Sequence, residues 1–109
     1  MSVITTHVLD TVTGEPAPGI PVLLEFRGDS SPSPTVVGRG KTDMEGRICH
    51  LVKEDHALEP GVYCLRFDTS AVSPFFPEIS VVFRIAAAQQ HYHVPLLLSR
   101  FGYSTYRGN

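Results

Sequence analysis

The chain has 109 residues, with nine Lys and Arg against eleven Asp and Glu, a formal net charge of −2. That length suits one domain, residues 1–109, burying roughly 60–70% of its extended-chain surface. So mild a charge argues against a nucleic-acid partner, and apolar runs such as "PLLL" and "AAA" are too short to span a bilayer.

In chain order the sequence reads as short strands between turns. "ITTHVLD" alternates, with Ile4, Thr6 and Val8 on one face and Thr5, His7 and Leu9 on the other. A Gly/Pro-rich turn leads into "IPVLLEF", where Val22, Leu24 and Phe26 share a side. "RGDSSPSP" is a loop by composition, and "TVVGRGKT" is a third strand weakened or bulged at Gly38 and Gly40. "DMEGR" is a tight turn that releases a short strand, "RICHLV". After the polar stretch "KEDHALEPG", "VYCLRFD" puts Tyr63, Leu65 and Phe67 on one face. "SAVSPFFPE" is too rich in proline for a long helix. "ISVVFRIA" places Ile79, Val81, Phe83 and Ile85 together, and "HYHVPLLLS" and "YSTYR" close the series. Seven or eight strands at this spacing predict an all-β, two-sheet sandwich or a barrel.

The chemistry is sparse. Cys49 and Cys64 have no CxxC spacing and read as free thiols within strands. His56 lies in a polar loop, and His50 has no evident partner. His7 projects from the less apolar face of its strand, and His91 and His93 share a face opposite Tyr92 and Val94. A histidine beside a guanidinium stays neutral and can act as a general base. His-x-His on a strand also suits zinc, and His7 could supply a third ligand, but nothing in the sequence fixes that geometry. No GxSxG, HExxH, P-loop or dinucleotide motif occurs. Residue patterns alone stop at a β-sandwich with a histidine-lined site left open.

Five segments go further: "THVLDTVTGEPAPGIPVLL", "TDMEGR", "GVYCLRFDT", "FFPEISVVFRI" and "HYHVPLLLSRFGYSTYRG". In this order they resemble the transthyretin-like 5-hydroxyisourate hydrolases across nearly the whole chain. The terminal Tyr-Arg-Gly is the most specific part, since it separates the hydrolases from transthyretin itself, a hormone carrier. The resemblance implies a mainly antiparallel β-sandwich, with at most one short helix, assembled as a homotetramer with active sites between its dimers. It implies hydrolysis of 5-hydroxyisourate in urate degradation without metal or organic cofactor, and with neither nucleic acid nor membrane as partner. By the same resemblance His7, Arg47 and His93 are the catalytic residues. Tyr106 and Arg107 join His7 and Arg47 in holding substrate.

Three departures stand out. Asn109 replaces the family's terminal serine and is a possible contributor to the site, Arg100 stands where proline is common, and the Thr69–Phe75 connection is short for a helix. A weakened relative and a small-ligand carrier are the alternative readings. No signal-peptide pattern is visible and the terminus is not a Ser-Lys-Leu address, so the cytoplasm is the expected compartment, with the peroxisome as second choice.

Overall fold

The computed structural model describes residues 3–28, 33–52, 58–86 and 91–108. Ten strands form within them: β1 Val3–Asp10, β2 Glu15–Pro16, β3 Pro21–Phe26, β4 Thr35–Lys41, β5 Arg47–Ile48, β6 Gly61–Asp68, β7 Glu78–Ile85, β8 His91–His93, β9 Leu96–Leu98 and β10 Tyr103–Thr105. No helix occurs among the described residues. Two sheets pack face to face, as the alternating sequence predicts.

One sheet has the order β4-β3-β6-β7 and is antiparallel throughout. Its register shifts between Leu24 and Glu25, opposite Gly38 and Val36, so the expected bulge falls at Val37. Tyr63, Leu65 and Phe67 turn inward from its middle and are fully buried, together with Leu24, Ile79 and Ile85. Cys64 is buried on the opposite side of β6, between partly exposed Val62 and Arg66.

The other sheet gathers around β1, which contributes Ile4, Thr6 and Val8 to the core. It is mixed. β2 and β5 pair antiparallel with β1, whereas β8 and β9 run parallel to it at one common offset, Val3↔His91 through Asp10↔Leu98. "HYHVPLLLS" is therefore two strands rather than one. The ladder breaks at Pro95, which has no N–H to give. Around the break, Val94 N–H donates to the Thr5 carbonyl and the buried Thr6 hydroxyl donates to the Val94 carbonyl. β10 returns antiparallel on β9 and ends the chain near β8 through a bridge between His93 and Gly108.

Two further expectations need correction. "RICHLV" keeps only Arg47 and Ile48 as strand, because the chain bends at Cys49. Cys49 is thus an exposed thiol in a bend, not a strand residue, although both cysteines are free. The Thr69–Phe75 connection keeps one turn, with Val72 and Ser73 N–H both donating to the Thr69 carbonyl.

Candidate active site

β1 carries the site on the face turned away from the core. Alternation buries Ile4, Thr6 and Val8 and turns Thr5 and His7 outward, half-buried. On one flank of β1, β5 sets Arg47 directly across from His7. On the other flank, β8 sets His93 across from Thr5. Three segments distant in sequence thus present His7, Arg47 and His93 on one surface.

The turn before β5 fixes the Arg47 end. Thr42 is buried, and its hydroxyl donates to the Ala17 carbonyl while accepting from Ile20 N–H. Asp43 then folds the chain back, its Oδ1 accepting from the amides of Glu45 (2.9 Å) and Arg47 (3.0 Å). Those bonds, that from the Arg47 amide foremost, hold the Asp43 carboxyl below the usual carboxylate range. Gly46 completes the turn at φ 76°, and a Cβ there would stand 2.5 Å from the Val8 carbonyl oxygen. Only glycine lets this turn lie so close to β1. The result is that Val8 N–H donates to the Gly46 carbonyl, and His7 Nε2–H donates to the Glu45 carbonyl at 2.9 Å. A carbonyl can only accept, so neutral His7 keeps its lone pair on Nδ1.

His93 is held differently. Its Nδ1 lies 2.7 Å from Thr5 Oγ1, and the same hydroxyl lies 2.9 Å from His91 Nε2. Burial first, and then the Arg47 charge, His7 and His91, push the His93 imidazolium to lower pKa. Gly108 closes this end: its N–H donates to the His93 carbonyl at 2.7 Å, and a Cβ on it would stand 2.6 Å from His93 Cδ2.

The shared face of His91 and His93 is as the sequence predicts. Their rings converge on Thr5, and no trio of His, Cys, Asp or Glu placed to hold a metal occurs among the described residues. Tyr106 and Arg107 sit elsewhere within the chain. The Arg107 guanidinium lies 4.6 Å from the ring centre of buried Tyr92, whose side chain leaves β8 on the side opposite the imidazoles. Both residues line a groove of about 210 Å³ with Val82, Arg84 and Tyr92. Asn109 and His56 lie outside the described residues. Sequence reasoning missed Thr5, Asp43, Glu45 and Gly108 as supports. Thr5 carried a signal, since it shares the His7 face two residues away.

The arrangement offers a cation beside two imidazoles on an open sheet face, which suits an anionic substrate and proton transfer at it. Comparison with known proteins identifies the family. Residues 4–108 match the model of the HIUase/Transthyretin family. The chain belongs to that family. It is 46% identical over 114 residues to a 5-hydroxyisourate hydrolase of Salmonella dublin, covering 99% of this chain and 82% of the relative. The structure of the Klebsiella pneumoniae 5-hydroxyisourate hydrolase superposes with a TM-score of 0.82 at 33% identity, covering all of both chains. Sea bream transthyretin in complex with thyroxine superposes with a TM-score of 0.85 at 31% identity, over 96% of this chain and 93% of that one. The hydrolase and the thyroxine-bound transthyretin superpose on this chain about equally well, so the backbone fold alone does not separate them.

Proposed function

We propose that this protein is a hydrolase that opens 5-hydroxyisourate to 2-oxo-4-hydroxy-4-carboxy-5-ureidoimidazoline, a step of urate degradation. The observation that carries the reading is the convergence of His7, Arg47 and His93 on one face of the β1 sheet. An apolar carrier channel has no use for a guanidinium flanked by two imidazoles. Relatives bearing the hydrolase name at 38–46% identity over 97% or more of the chain support it further.

In this reading Arg47 binds the anionic substrate and draws charge onto the carbonyl oxygen. A neutral imidazole removes a proton from water as its oxygen attacks the ring carbonyl carbon. The resulting oxyanion faces Arg47. Collapse breaks the ring C–N bond, and the departing nitrogen takes the proton back from the imidazolium. His93 suits the base role, since burial and Arg47 keep it neutral. His7 accepts protons at Nδ1 only, because Nε2–H is committed to the Glu45 carbonyl, and it positions the water. Tyr106 and Arg107 contact substrate from the terminal segment in a homotetramer, a dimer of dimers whose sites lie between the dimers. The resemblance of the whole chain to the family supports that assembly, and no cofactor enters the reaction.

The test is direct. Urate and urate oxidase generate 5-hydroxyisourate, whose decay is followed with and without the protein. Accelerated decay is the expected result, and an unchanged rate sinks the proposal. Tight binding of an aromatic hormone-like ligand with no turnover would favour a carrier instead.

A further inference from the structure

Thr5 has no part in the mechanism above, yet its hydroxyl stands between two imidazoles, 2.7 Å from His93 Nδ1 and 2.9 Å from His91 Nε2. A hydroxyl has one proton and two lone pairs. It can donate to one ring nitrogen at most, so at least one of the two rings must present an N–H to it. The tautomers of His91 and His93 are therefore coupled through Thr5.

We propose that Thr5 is a positioning residue: its hydroxyl donates to His91 Nε2 and accepts from His93 Nδ1–H, which leaves the lone pair of His93 on Nε2. The inference rests on the function proposed above, in which His93 takes a proton from water. Two observations favour this direction over its reverse. His93 Nε2 is hydrogen-bonded to no described residue, whereas Nδ1 is tied to the sheet, so Nε2 is the nitrogen turned to an incoming substrate. His91 is exposed, so its remaining ring nitrogen is served by water whichever tautomer it holds. The arrangement parallels a general feature of catalytic histidines, in which the partner on one ring nitrogen dictates what the other can do. Thr5 suits the task because β1 fixes its backbone opposite His93 and a β-branched side chain in a strand has few rotamers to lose.

Thr5→Val keeps the branched shape and removes the hydroxyl, while Thr5→Ser keeps the hydroxyl. Ring-nitrogen NMR shifts of His93 are read in substrate-free protein at a pH where the ring is neutral, with thermal melts confirming that both variants fold. Wild type and Thr5→Ser are expected to show Nδ1 protonated and Nε2 bare, and Thr5→Val to gain Nε2–H. In steady-state hydrolysis, Thr5→Val is expected to lower kcat on the order of 10- to 100-fold with KM little changed, the scale of losing an orienting partner. Thr5→Ser should keep most of the turnover. An Nε2–H tautomer in wild type, an unshifted tautomer in Thr5→Val, or a shifted tautomer with unchanged kcat each overturns the proposal. Absence of any 5-hydroxyisourate turnover in wild type would instead reject the function, leaving the substrate-free tautomer reading to decide what Thr5 does to His93.

Discussion

The two sheets solve different problems with the same element. β3, β4, β6 and β7 are six to eight residues long, and β6 and β7 pair without a break from Gly61↔Ile85 to Asp68↔Glu78. In the other sheet β1 has eight residues, but each strand beside it has two or three. Long ladders place many apolar side chains on one inner face and make a rigid wall. Short partners let several turns end against one strand, and each turn delivers a different side chain to the same face. Both sheets feed the core, but the long ladders lie in the first and the candidate site residues in the second.

That division can be attacked from either side. Phe67 is fully buried in the centre of the long-strand sheet. Phe67→Ala is expected to remove about 3–5 kcal/mol of stability in denaturant unfolding, while kcat per folded molecule stays at the wild-type value. A matching loss of kcat would mean that the two sheets are not separable. Arg47→Ala is the converse experiment. It removes an exposed guanidinium that forms no ion pair with a described residue, and keeps the amide that caps Asp43. We expect kcat/KM to fall at least about 100-fold, or roughly 2.7 kcal/mol of transition-state stabilisation, with stability within about 0.5 kcal/mol of wild type.

Gly46→Ala strikes the seam between the two roles. The substitution forces an L-residue to φ 76° and drives a Cβ to 2.5 Å from the Val8 carbonyl. A cost of about 1–3 kcal/mol is expected in unfolding. Turnover should fall as well, because the same turn holds the Glu45 carbonyl on His7 and starts β5 at Arg47. Lost stability with untouched turnover would show that the turn does not position the site.

The contrast also explains which features the sequence discloses. Alternation in "VYCLRFD" and "ISVVFRIA" is a local signal, and the burial of Tyr63, Leu65, Phe67, Ile79 and Ile85 follows from it. The short-strand sheet depends on partners that local pattern cannot specify. Nothing within "RICHLV" marks the bend at Cys49, and nothing within "HYHVPLLLS" announces a parallel register with residues almost ninety positions earlier. Only Pro95 hinted at the break. For the same reason His7, Arg47 and His93 are unremarkable singly and become a group only through β1. Thr5 and Gly108 act through geometry, a hydroxyl between two rings and a missing Cβ beside one, and composition carries neither.

The smallest expected effect is a pH dependence seated in His93. Its folded pKa lies below the ordinary imidazole value of about 6.5, chiefly through burial and then through Arg47. The unfolded chain therefore binds the proton more readily than the folded one. Above about pH 6.5 the ring is neutral in both states and contributes no pH dependence. Between that value and the lower folded pKa the unfolded state holds more protons, so stability falls as pH falls. His93→Gln removes the titration and should flatten this part of the stability curve without altering it above pH 7. Turnover gives the second reading of the same group. If His93 is the base, the acid limb of kcat/KM lies below 6.5, because free enzyme stays competent until the depressed pKa is reached. An acid limb at or above 6.5 would take the base role away from His93.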